Sequence, residues 1–207
     1  FADAVRLVHR RGQLMQAAVP QGEGAMAAIL GLEDAAVEAA CAEVAGVVSA
    51  ANYNAPGQVV IAGAAAAVEL AIERCKALGA RRAAALPVSG PFHCALMRPA
   101  QEAFAADLAG VNIAAPSIPV VQNVDARVSA SVEEIRDRLL RQISQPVLWT
   151  GCVQSMVGLG VARIVECGPG RVLAGLVKRI DKNVDVHSLG SVEGLQAALA
   201  AEGVAHE

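Results

Sequence analysis

The hydrophobic pattern between residues 25 and 90 sets the strongest limit on the fold of this chain. Residues 25–32 are typical of a strand and residues 33–45 of a helix. Two more strands follow on either side of Ala55-Pro56-Gly57, then a helix and a last strand. This order, βαββαβ, is that of the ferredoxin-like unit. We therefore predict a small ferredoxin-like subdomain over residues 25–90.

The flanking parts of the chain, residues 1–24 and 91–207, have a different rhythm. Helices there alternate with three short buried strands, SIPVVQN, VARIVECG and VDVHSLG. Such alternation favours the α/β class, with a parallel sheet covered by helices. Three strands are few for such a sheet, and the sequence opens on a helix. We expect a large subdomain of which part lies upstream.

Two local patterns mark helix starts in this large subdomain. Ser131 followed by Glu134 predicts a capping box. Gly168-Pro169-Gly170 places a proline near the first turn of the next helix. The glycines there are compatible with an anion-binding helix start, or with a tight connection between strand and helix.

Composition excludes several function classes. A formal net charge of -3 gives no support to nucleic-acid binding, and no apolar run is long enough to cross a bilayer. The five cysteines have no close spacing, which indicates free thiols in a cytoplasmic protein and neither a disulfide framework nor a zinc site.

Arg11 lies on the apolar half of the first helix. On a wheel of about 100° per residue it falls between Ala18 and Ala4, while Arg6 and Arg10 lie on the polar half. A guanidinium stays charged, so burial requires a partner. An internal salt bridge, or a side chain that extends to solvent, is one interpretation. A clamp for a ligand carboxylate is the other.

His93 lies in LPVSGPFHC, on a loop between the two predicted subdomains and next to a helix start. One interpretation of His93 is structural: a partly buried histidine whose ring forms a hydrogen bond with the backbone. A general base also fits, because clefts form between subdomains and a helix start keeps an imidazole neutral. No G-x-S-x-G motif supplies a nucleophile for this base.

Asn52 and Asn54 form the third candidate group. They alternate with Tyr53, so on a strand both asparagines face the same side. Turn chemistry before Pro56-Gly57 also accounts for asparagine here.

Five segments together resemble a known family. RRGQLMQ, ANYNAPGQVVIAG, LPVSGPFHCALM, SQPVLWT and ECGPGRVLAGLVKRI, in this order and spacing, are similar to the malonyl-CoA:acyl carrier protein transacylases of bacterial fatty-acid synthesis. The resemblance covers nearly the whole chain. It implies an α/β-hydrolase-like large subdomain, incomplete here, with an inserted ferredoxin-like small subdomain.

The resemblance also implies roles for individual residues. His93 matches the family's general base, and the carbonyl of Gln142 orients it. Arg11 matches the arginine that binds the malonyl carboxylate. Asn54, and less surely Asn52, match positions that line the family's substrate pocket on the side of the small subdomain. Phe92 matches a position that is aromatic in related domains that use malonyl groups and smaller in those that use branched acyl groups.

The family's G-H-S-L-G nucleophile elbow is not found in this sequence. The resemblance places the elbow upstream of Phe1, so we expect a fragment that is inactive in acyl transfer by itself. An acyl-thioester hydrolase of related fold and a non-catalytic carrier-protein-binding fragment remain open as alternatives.

The resemblance finally implies the partners. Malonyl-CoA is expected as substrate, acyl carrier protein as acceptor, and no cofactor or metal. Carrier proteins are acidic, so their docking surface should be basic. The basic candidates cluster around one predicted helix and are Arg171, Lys178, Arg179 and Lys182. Arg81 and Arg82 form a second basic pair.

Overall fold

The computed structural model describes residues 1–201, and it contains the predicted ferredoxin-like sheet. The elements of this part are, in chain order, β1 Gly24–Leu30, α2 Asp34–Ala42, β2 Val48–Ala55, β3 Gln58–Ala64, α3 Ala65–Ala77 and β4 Arg82–Ala85. The strands form one antiparallel sheet in the order β2-β3-β1-β4, preceded in the chain by helix α1, Ala2–Ala17.

Both faces of this sheet are buried, because successive side chains of a strand point to opposite faces. On β3, Val59 and Ile61 pack with α2 and α3 in one core. Val60 and Ala62, together with Met26 on β1, which pairs with Ala62, belong to a second core on the other face. That second core includes Cys94, so the sheet supports the His93 loop directly.

The remaining elements surround the sheet with helices. They are a 3₁₀ turn Ala95–Met97, α4 Arg98–Ala109, β5 Val121–Gln122, β6 Arg127–Val128, α5 Val132–Arg141, α6 Trp149–Gly158, β7 Arg163–Glu166, α7 Val172–Ile180, β8 Asp185–Ser188 and α8 Val192–Ala201. Strands β7 and β8 are parallel, as an α/β layer requires. Within residues 1–201, no helix is both long and apolar enough to cross a bilayer.

One predicted strand is wrong in length and pairing. SIPVVQN contributes only Val121–Gln122, and these pair antiparallel with β6 instead of joining β7 and β8. Pro119 has no N–H to donate to a ladder, and Ile118 is 74% exposed. Helix α8 was absent from the sequence prediction, which ended with the strand VDVHSLG.

The two predicted helix starts differ in outcome. Ser131 caps α5 by accepting a hydrogen bond from the Glu134 amide at 3.2 Å, and the Glu134 carboxylate accepts one from the Ala130 amide at 2.9 Å. Helix α7 begins after Pro169, at Val172.

The first-turn amides of α7 serve the chain itself. The amides of Leu173 and Ala174 donate to the two carboxylate oxygens of Glu166, at 3.0 and 2.9 Å. The first turn of α7 is therefore already occupied by an internal anion, which favours a tight connection, and the anion-binding interpretation of the glycine-rich segment stays a prediction.

Candidate active site

The His93 loop is held by close packing beneath it. Pro91 is buried against Gly24, where an added Cβ would come within 2.4 Å of the proline ring. The Cys94 thiol donates to the carbonyl of Pro91 at 3.0 Å. Between these two fixed residues His93 adopts a left-handed backbone, φ 60°. Such a conformation is uncommon for a residue with a side chain, and this packing maintains it.

The imidazole of His93 has a defined tautomer. Its Nδ1 lies 2.8 Å from the carbonyl oxygen of Gln142, which can only accept a hydrogen bond. Nδ1 therefore carries the proton, and Nε2 is left as a proton acceptor. Burial lowers the pKa of His93 below its ordinary value, the Gln142 bond opposes this, and the nearby Arg11 charge lowers it further. These effects together favour the neutral imidazole that a general base needs.

Arg11 is half-buried in α1, with an unsatisfied nitrogen. Its Nε is buried and has no hydrogen-bond partner. Among the described residues no carboxylate forms an ion pair with it, so the internal salt bridge considered from the sequence is not observed. Burial lowers its pKa, although a guanidinium remains charged at any ordinary pH. The side chain thus presents a positive charge without an internal counter-ion.

A cavity of about 510 Å³ brings four of the predicted residues together. Arg11, Asn52, Phe92 and His93 all line it. Gln142, which bonds to His93, lines a second cavity together with Arg11. This cavity is more apolar, has a volume of about 290 Å³ and lies between α1, α4 and α5. The sheet, the His93 loop and α1 therefore meet at one opening.

Asn54 does not line this cavity. Strand β2 is irregular between Ala50 and Asn52 and again between Tyr53 and Ala55, so simple alternation does not apply. Tyr53 packs with the helix-side core, and Asn52 lies on the cavity side.

Sequence reasoning missed four cavity residues. Gly12, Met15 and Gln16 lie on α1, and Met26 lies on β1. Residues three and four apart share a helix face, so Met15 was available from the position of Arg11 alone, whereas Gly12 and Gln16 were not. Met26 required the sheet pairing, which brings β1 beneath the His93 loop.

The basic candidates on α7 are partly engaged within the chain. Lys178 donates to the carbonyl of Val184 at 2.6 Å, and Arg179 donates to the side-chain oxygen of Gln58 at 2.6 Å. The second bond joins α7 to the ferredoxin-like sheet. Arg171 and Lys182 are exposed.

The chain resembles characterised proteins along nearly all its length. It is 53% identical over 201 residues to the malonyl CoA-acyl carrier protein transacylase of Escherichia coli K12, covering 96% of this chain and 65% of that protein. The chain thus spans about 65% of the length of the curated relatives it matches.

Solved structures agree in fold. The malonyl-CoA:acyl carrier protein transacylase of Xanthomonas oryzae superposes with a TM-score of 0.94 at 52% identity, covering 96% of this chain and 64% of that one. A malonyl-transacylase solved with a type II PKS acyl-carrier protein superposes with a TM-score of 0.93 at 48% identity, covering 96% and 65%. These matches confirm the predicted α/β fold class.

A family model described as the acyl transferase domain matches residues 1–201, which are the residues that carry Arg11, His93 and the cavity between them. The chain belongs to the acyl transferase domain family.

Proposed function

We propose that this chain provides the substrate clamp and the general base of a malonyl-CoA:acyl carrier protein transacylase. The observation that carries the proposal is the shared cavity, which both Arg11 and His93 line. A dicarboxylic acyl thioester has one group for each: a carboxylate for the cation, and a thioester carbon for the nucleophile that the base activates.

The proposed chemistry proceeds through an acyl-enzyme. His93 Nε2 takes the hydroxyl proton of a serine as its oxygen attacks the thioester carbon, and the imidazolium returns that proton to the departing CoA sulfur. The carrier-protein thiol then attacks the seryl ester, with His93 again accepting and returning the proton. Throughout, Nδ1–H remains bonded to the Gln142 carbonyl, which stabilises the imidazolium. The serine is proposed to lie outside the present sequence.

Phe92 and Asn52 have supporting roles in this proposal. The Phe92 ring lines the cavity beside His93, where it would crowd an α-methyl group and favour malonyl. Asn52 offers a side-chain amide from the sheet side of the cavity. The role of Asn54 stays a prediction from the family resemblance.

Acyl carrier protein is the proposed acceptor. One of the similar solved structures is that of a malonyl-transacylase with its acyl-carrier protein. Because Lys178 and Arg179 already donate within the chain, Arg171 and Lys182, which flank the two ends of α7, are the stronger candidates for contact with an acidic partner.

A cytoplasmic location is part of the same proposal. All five cysteines carry free thiols and four of them are buried. A reducing compartment preserves such thiols.

Replacing Arg11 tests the substrate assignment. Arg11→Met in the full-length gene product should lower kcat/KM for malonyl-CoA about 10- to 150-fold, the range for losing a hydrogen bond to a charged group. Turnover of acetyl-CoA, which has no carboxylate, should not fall. Arg10→Met is the matched control, since Arg10 pairs with Asp107 at 3.2 Å outside the cavity.

The outcomes separate the alternatives. Unchanged malonyl-CoA turnover by Arg11→Met would contradict the clamp. Release of malonate to water as fast as transfer to carrier protein would instead support the hydrolase.

A further inference from the structure

Gly12 is a glycine for which the fold gives no structural reason. It lies in the interior of α1, where glycine is less stable than alanine. Its φ is not in the left-handed region, so the backbone does not require it. Apart from its chain neighbours and its own helix backbone, no heavy atom of residues 1–201 lies within 4 Å of a Cβ added there, so packing in this part of the chain does not require glycine either. Neither local conformation nor close contact explains the absence of a side chain.

The cavity supplies an explanation. Gly12 lines the space of about 510 Å³ that Arg11 and His93 share. It directly follows Arg11 on the helix, and Gln16, one turn later on the same face, lines the cavity as well. Among the described residues, a side chain at position 12 would project into open space rather than into a packed core.

We infer that Gly12 is a specificity-determining residue, whose missing side chain leaves the room in which an acyl carboxylate reaches Arg11. This inference rests on the proposed function. The unsatisfied Nε of Arg11 is consistent with this assignment, because among the described residues the guanidinium has no carboxylate partner and Arg11 lines the cavity beside Gly12. A methyl group at position 12 narrows that approach without disturbing the protein's own contacts.

Gly175 offers a matched control. It also lies inside a helix, α7, is exposed, and has no heavy atom within 4 Å of an added Cβ. It does not line the cavity of Arg11 and His93. Alanine at either position should therefore have the same effect on helix stability and a different effect on the acyl site.

The experiment compares Gly12→Ala and Gly175→Ala in the full-length gene product. Each should raise Tm by about 2–4 °C, since both relieve glycine in a helix. Only Gly12→Ala should lower kcat/KM for malonyl-CoA, by about 10-fold, with a smaller effect on acetyl-CoA. Gly12→Val should reduce malonyl-CoA turnover further, because its side chain is larger.

Several results would overturn the inference. One is malonyl-CoA turnover by Gly12→Ala within about twofold of wild type. Another is an equal loss of kcat/KM for malonyl-CoA and acetyl-CoA. A lower Tm for Gly12→Ala would show that the position is not open. If the wild-type protein transfers no malonyl group at all, the proposed function itself fails, and the inference fails with it.

Discussion

His93 combines a left-handed backbone, φ 60°, with a buried ring nitrogen bonded to Gln142. A side chain in this conformation costs roughly 1–2 kcal/mol relative to ordinary backbone. Asparagine tolerates it best among residues with a Cβ, whereas β-branched residues do not. His93→Asn is therefore the substitution that removes the base with the least disturbance of the loop.

The titration of His93 is the first prediction at this scale. Burial lowers its pKa, so the NMR titration midpoint of its ring should lie below 6.5. At pH values between that midpoint and 6.5 the unfolded chain binds a proton that the native protein resists, so stability should decrease as pH falls through this window. His93→Asn should remove that part of the pH dependence. A titration midpoint at or above 6.5 would contradict a His93 imidazole that burial keeps neutral.

Residue-level prediction worked where the signal was local. The wheel identified Arg11 because helical periodicity depends only on neighbouring residues. The acceptor for His93 is a backbone carbonyl, which any residue at position 142 offers, so residue type alone could not reveal it. The Asn52 and Asn54 pattern gave only a partial answer, since two irregularities in β2 interrupt the alternation.

At the scale of elements, the segment between Gln142 and Leu148 connects both walls of the cavity. Its Val147 amide donates to the Ala51 carbonyl at 2.8 Å, and its Val147 carbonyl accepts from the Tyr53 amide at 2.9 Å. These bonds flank Asn52, while Gln142 at the start of the segment holds His93. The position of the base is therefore linked to the edge of the sheet.

Helix α5 leads directly into this segment, and the ion pairs of Arg138 hold the helix in place. That residue is 8% exposed and pairs with Asp125 at 2.6 Å and Glu134 at 2.7 Å. Arg138→Met should lower stability by about 1–3 kcal/mol, because it removes the closest cationic partner of Asp125 and leaves the 3.7 Å contact to Arg141 in its place.

Thermal unfolding measures this difference. Arg6→Met is the control, because its pair with Asp3 is exposed and should contribute nothing measurable. An Arg138→Met protein with the Tm of the wild type would show that the network does not stabilise α5.

Elements were predicted from sequence where hydrophobic period and caps agreed. Helix α5, with its Ser131 cap, satisfies both conditions, whereas the βαββαβ order followed from the hydrophobic period alone. SIPVVQN had the composition of a strand, but the prolines before and within it restrict the ladder to two residues. Pairing partners are contacts distant in sequence, so strand composition could not supply them.

At the scale of the whole molecule, the ferredoxin-like sheet and the helical part form one site because both contribute to the same cavity wall. Met26 and Asn52 come from the sheet and Arg11 comes from α1. His93 comes from the loop that follows the last strand of the sheet. The order of the two predicted subdomains along the chain placed this loop at their junction. The size of the cavity depends on packing and could not be predicted from the sequence.

The most direct test is the intact mass of the full-length gene product after brief mixing with malonyl-CoA. The proposal predicts a covalent malonyl adduct that disappears on addition of carrier protein, and that forms about 10²- to 10⁴-fold more slowly in His93→Asn. The absence of an adduct on the folded wild-type protein, or its formation at the same rate in His93→Asn, would contradict the role of His93 as general base.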